Sequence, residues 1–220
     1  MSDAPAWRQR TRGESRWSAV VALMVAAAAQ LVLPHSYPAV IRYGTPAIVL
    51  VLAIGSLVIV PNRIDGHTTP FRAISLSMVG LLAVANAVSL AILVDRLIAG
   101  DAIRAPELLR TGLAVWLTNT VAFGLAYWEF DRGGPGRRSE GLHDFPDFCF
   151  PQMQSPHLAP PDWEPTFVDY LYVSFTNAAA FSPTDTMPMS RWAKSMMLVQ
   201  SIISLLTVAL VIARAVNVFR

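Results

Sequence analysis

Long apolar runs alternate with short polar ones along the chain. Five of the runs, at about 17–33, 47–60, 73–94, 112–127 and 195–213, have the continuity of membrane-crossing helices. A hydrocarbon core of about 30 Å calls for about 20 apolar residues in helix, because backbone N–H and C=O groups find no water there. The second run is short and reaches that length by recruiting 37–43. The pattern therefore predicts an all-α integral membrane protein with about five transmembrane helices. Arg8, Arg10, Arg12 and Arg16 precede the first run like the start of a secretory signal. No small-x-small cleavage site follows before Pro34, so the run is read as a retained span.

Between the fourth and fifth runs the chain changes character twice. Residues 131–166 are polar and proline-rich, whereas 167–182 (FVDYLYVSFTNAAAFS) are apolar and aromatic. The second stretch suits a helix of about four turns, too short to cross a bilayer at about 1.5 Å per residue. Pro183 is expected to stop that helix, and 183–190 to return the chain to the last span, 191–220. A short helix, a breaker, a polar return and a full span make the pattern of a re-entrant pore-type helix, tolerated at membrane depth only where it lines water or is buried in protein. A surface-lying amphipathic helix fits the same periodicity. The organisation read from sequence is a basic tail (1–16), a three-span region (17–110) and a module of span, loop, re-entrant helix and last span (111–220).

Composition agrees with the pattern. Of 220 residues 54% are hydrophobic and 15% charged, against roughly 25% charged in soluble domains. The net charge of +2 gives no argument for nucleic acid. A single cysteine, Cys149, rules out an intrachain disulfide framework. His143, Asp144, Asp147, Cys149 and His157 are ligand types for zinc, but their spacing fits no zinc pattern, so no metal and no cofactor are expected. Phe145, Phe148, Phe150 and Trp163 are expected instead to fold the loop onto the membrane surface or over the short helix. No G-x-S-x-G, H-E-x-x-H or Gly-rich phosphate loop is present, and the chain is not read as an enzyme.

The segment 167–217 resembles the pore loop and inner helix of two-span potassium channels. Asp169, Tyr170, Tyr172, Ser174 and Phe175 match the pore-helix side, Asp185 the filter aspartate, Pro188 the following proline, and Ala213 with Arg214 the closing pair. The second half is also similar to a family of uncharacterised bacterial membrane proteins that share a W-x-x-N…W-E-x-D-x-G-G-P block and an A-F-S-P-T-D-T-M-P run. Here Trp116, Asn119, Trp128, Glu129, Asp131, Gly133, Gly134 and Pro135 carry the first, and residues 180–188 the second. The resemblance implies an ion-channel-like protein of the cell membrane, a homo-oligomer and by analogy a tetramer. It departs at the filter, where Ala180, Phe181, Ser182, Pro183, Thr184 and Asp185 replace T-V-G-Y-G-D. Without glycine the alternating backbone of a carbonyl filter is unfavourable. A ring of Ser182, Thr184 and Asp185 would pass monovalent cations with weak selectivity, with Phe181 as an apolar constriction. The alternative is a non-conducting scaffold or partner-binding protein that keeps a channel-like fold.

Single residues divide between structural and conducting roles. Asp185 suits either turn capping or an ion-facing position. Asn86, Asn119 and Gln200 lie within spans, where amides serve as interhelical hydrogen bonds, and Thr118, Thr176 and Asn177 are candidates to join them. Glu129, Asp131 and Arg132 close the fourth span, where snorkelling into the lipid interface is the simple account. Orientation is contradictory. Five spans and a pore loop entering from outside put the N-terminus outside, whereas the arginines before the first span, with Arg63, Arg72, Arg132, Arg137 and Arg138 on the same side, put it in the cytoplasm.

Overall fold

A computed structural model describes residues 5–60, 62–64, 66, 69–101, 103–141, 145–182 and 185–218, with the side chains of 215–218 left aside. His67, His143, Asp144, Pro183, Thr184 and Arg220 lie outside the described residues. The helices are α1 (Trp17–Leu31), α2 (Thr45–Ile59), α3 (Thr69–Ile98), α4 (Ala105–Phe130), the short α5 (Pro135–Ser139) and α6 (Pro151–Gln154), α7 (Phe167–Ala180) and α8 (Arg191–Val218). Two small antiparallel ladders join β1 (Glu14–Ser15) to β2 (Arg63–Ile64) and β3 (Phe148–Cys149) to β4 (Met187–Pro188).

Among the described residues four helical stretches are long and apolar enough to cross a bilayer: Val40–Ile59, Thr69–Ile98, Ala105–Gly133 and Arg191–Arg214. The first expected span falls short of that. α1 holds 15 residues, about 22 Å of helix, and ends ahead of Pro34. The second run does recruit upstream residues, through a π-helical turn at Val40–Gly44 that leads into α2. α3 and α4 outrun their apolar cores at both ends, and where α3 finishes and α4 begins Arg96 and Glu107 are accommodated by ion pairing with each other.

α4 is the central element and packs against α1, α3, α7 and α8. Its buried Val121, Ala122, Leu125 and Tyr127 meet Leu23 and Ala26 of α1, Leu82 of α3, Val173 of α7 and Met197 of α8 in one core. Small residues allow close approach. A Cβ on Gly124 would lie 3.3 Å from the Leu171 Cα, and one on Gly112 would strike Val211.

Charged residues collect at the two ends of the bundle. At one end Arg16 donates to the Ser56 and Val60 carbonyls where α2 finishes, Arg63 donates to the Arg12 carbonyl, and Arg72 to that of Gly133. At the other, Arg96 reaches Ser36 at 2.9 Å and Arg214 donates to the Asp101 carbonyl at 2.8 Å.

Candidate functional site

Thr166, extended, stands before the first turn of α7, and Asp169 accepts from its N–H at 2.8 Å and its hydroxyl at 2.9 Å. A carboxylate here also suits the positive end of the helix. Tyr170, Val173, Ser174, Asn177 and Ala178 form the buried stripe, while Val168, Tyr172 and Phe175 face outward. The Phe167 ring meets Trp128 near the end of α4, centroids 5.8 Å apart. A dozen residues back along α4, the Trp116 indole donates to the Ala178 carbonyl at 3.4 Å and meets Phe175 edge-on at 5.5 Å. α7 thus reaches about 18 Å along α4 and stops beside its middle. The chain then comes back. Met187 and Pro188 pair with Phe148 and Cys149, and the Met189 N–H donates to the Asp147 carbonyl at 2.7 Å.

The stop is not the one the sequence suggests. α7 ends at Ala180, and Phe181 takes the left-handed conformation, φ 55° and ψ 30°, before Pro183 is reached. Non-glycine residues adopt this conformation at a cost of about 1–2 kcal/mol. The position that lacks glycine therefore still uses glycine-like backbone. Ala180 and Phe181 are exposed, Ser182 is half-buried, and Asp185 is exposed ahead of β4.

A polar network holds α7 against α4 and α8. Gln200 Nε2 donates to the Ser174 carbonyl at 3.0 Å and to its hydroxyl at 2.7 Å. Its Oε1 accepts from Tyr127 at 2.6 Å and from Asn177 Nδ2 at 2.8 Å. Asn177 also donates to the Met197 carbonyl and accepts from Ser201, and Asn119 donates to Ser204 at 2.9 Å. Asn86 reaches Asn119 at 3.4 Å. Two hydroxyls bond elsewhere: Thr118 accepts from Gln30 of α1, and Thr176 bonds the carbonyls of Tyr172 and Val173 in its own helix. Tyr127 and Ser174 join a network that amide spacing alone does not announce.

Above α7 the charges of the W-E-x-D-x-G-G-P block, and Arg138 just after it, are buried, not snorkelling. Glu129, Asp131, Arg132 and Arg138 are all less than one tenth exposed. Asp131 accepts from the N–H groups of Asp147 and Phe148 at 2.8 and 3.3 Å, from the Arg132 guanidinium at 3.3 Å and from the Tyr170 hydroxyl. Asp147 completes the bracket by accepting from the Trp192 indole at 2.7 Å and the Arg132 N–H at 3.0 Å. Ser75 donates to Glu129, and Arg138 lies over the Tyr170 ring at 4.9 Å. Phe148 and Phe150 pack edge-on against Tyr170, and Trp163 backs Phe150. The loop therefore folds over the short helix, with Phe145 left exposed.

The N-terminal segment lies across this roof as a strap. Arg132 donates to the Trp7 carbonyl at 2.8 Å, the Thr11 N–H to the Ser139 carbonyl at 2.9 Å, and Trp128 to the buried Glu14 carboxylate. Burial pushes Glu14 from 4.5 up to about 7, against the opposing pull of Arg138. Sequence pattern marks Arg138 only as a flanking charge and gives no sign of Glu14, since a charge outside the spans reads as solvated.

Of the residues considered for zinc, Asp147, Cys149 and His157 are described, and His143 and Asp144 lie outside the described residues. Among the described residues no group of three His, Cys, Asp or Glu side chains could hold a metal ion, and Asp147 is taken up by its bracket. Burial pushes the Cys149 thiol up, away from a reactive thiolate. Comparison with family models, with curated proteins and with solved structures finds no match to this chain.

Proposed function

We propose that the chain is a channel-like multi-pass protein of the cell membrane in which α7, the turn after it and α8 form a weakly selective cation pathway between copies of a homo-oligomer. The observation that carries this reading is the path of α7, a helix of half the span length that begins and returns at one end of the bundle. In a bilayer that path supports reading α7 as a re-entrant helix. Its C-terminus is the negative end of a helix dipole, aimed toward mid-depth, where a partly dehydrated cation gains most from it. Ser182, Thr184 and Asp185 then supply oxygens along the return, and Phe181 narrows the passage. The tetramer follows from resemblance to potassium channels alone.

A second reading is a non-conducting scaffold. It is favoured by the glycine-free turn, and by amides that are used up inside one protomer rather than offered to ions. Ion flux from proteoliposomes, with potassium, sodium and larger cations offered in turn beside an Asp185→Asn control, separates the two. Flux that falls in Asp185→Asn supports the pathway. Absence of flux from folded, oriented protein overturns it in favour of the scaffold, and flux unchanged in the mutant removes Asp185 from it.

A further inference from the structure

At the end of the bundle away from α7's entry, the α1–α2 and α3–α4 connections border an open cavity of about 730 Å³. Its wall carries Arg42, Arg96, Arg104 and Arg110 against one carboxylate, Glu107. The carboxylate is committed, since Arg96 pairs with Glu107 at 3.2 Å and with Asp101 at 3.1 Å. Three arginines are thus left without an ion pair among the described residues. Arg42 is 8% exposed, and its Nε is buried with no hydrogen-bond partner. An arginine held this way needs an acceptor from outside the protomer, because a buried guanidinium N–H without one is costly.

The neighbours are arranged to suit an anion. Arg42 Nη1 lies 2.7 Å from His35 Nδ1. A guanidinium only donates, so Nδ1 is the acceptor and the His35 N–H is on Nε2. Arg104, exposed, is the residue before α4, at the positive end of that helix's dipole. Arg110 is exposed six residues on, in the second turn of α4. An apolar groove of about 240 Å³ between α4 and α8, lined by Leu109, Leu113, Trp116, Val208 and Ile212, starts beside Arg110 in sequence.

We propose that this cavity binds a phosphate anion, the phosphodiester of an anionic phospholipid headgroup, held by Arg42, Arg104 and Arg110 with an acyl chain along the α4–α8 groove. The site stands apart from the pore reading and does not depend on it. A free phosphate compound shares the headgroup chemistry but would leave the groove unused.

The test is the thermal unfolding midpoint of the full chain in detergent, titrated with phosphatidylglycerol, with phosphatidylcholine of the same chains, or with inorganic phosphate. Phosphatidylglycerol is expected to raise the midpoint where phosphatidylcholine does not. Its apparent affinity should fall about fivefold in Arg104→Gln, and again in Arg104→Gln/Arg110→Gln. Arg42→Gln should abolish the shift; if that buried change prevents folding, the exposed pair decides. Arg10→Gln/Arg12→Gln, at the opposite end, should leave it unchanged. Equal shifts from both lipids, or an undiminished shift in the Arg104/Arg110 double variant, overturn the proposal. Inorganic phosphate reproducing the full shift overturns the lipid and leaves a soluble phosphate ligand.

Discussion

Phe181 is where local chemistry and backbone disagree most. A bulky side chain at φ 55° is strained, and the residue is 44% exposed, so little packing compensates. Phe181→Gly should hold or raise the unfolding midpoint by the equivalent of about 1 kcal/mol, whereas Phe181→Val should lower it. A thermal melt of the two variants side by side checks the order. Gln200 is the opposite case, with every amide group partnered. Gln200→Leu leaves the Asn177 amide and the Tyr127 hydroxyl short of an acceptor, a loss of about 1–3 kcal/mol read as a lower midpoint. The amides in the spans were legible because polar side chains in an apolar run must find partners. Phe181 was not, since no residue type in the run A-F-S-P favours a left-handed turn.

Among the elements, α7 is fixed chiefly by its contact with α4. Gly124→Val would drive methyl groups into the Leu171 backbone, and the overpacking should cost about 1–3 kcal/mol. Loss of the Trp116–Phe175 ring contact, read as a change in tryptophan fluorescence of the folded Gly124→Val variant, distinguishes displacement of α7 from general destabilisation. The strap is pH-dependent by the same kind of argument. With Glu14 raised from 4.5 to about 7, the folded state holds a proton that the unfolded state gives up, so attachment is strongest below about pH 4.5 and weakens as pH rises to 7. The change amounts to about 3 kcal/mol at most. Limited proteolysis of residues 5–16 should quicken over that range and lose its pH dependence in Glu14→Gln. The spans were readable from continuous apolarity. The buried ionic roof was not, because a charge at a helix end looks the same whether a loop covers it or water does.

For the molecule as a whole, the outer faces of α7 and α8 are apolar and exposed, with Val168, Tyr172 and Phe175 on one and Leu198, Ile202 and Leu205 on the other. In a bilayer such faces would meet lipid or a second copy. If copies assemble through them, Ile202→Trp should lower the oligomeric fraction in light scattering while the protomer's helix content stays unchanged. The alternation of ends was legible from the arginines, and the helices do gather Arg16, Arg63 and Arg72 at one end. The short reach of α1 was not, since hydropathy runs through Val32 and Leu33 whether or not the helix does.

The strap also orders events in time. Trp7 is bonded to Arg132, 125 residues later in the chain. At about 5–20 residues per second, a ribosome makes the second partner roughly 6–25 s after the first. Through that interval the tail has nothing to close upon; where the helices enter a bilayer one by one, its arginines would wait at the surface. Its docking is therefore a late seal on biosynthesis. A fusion or truncation there is expected to spare early insertion and to leave behind chains with the full set of helices and an unlatched roof.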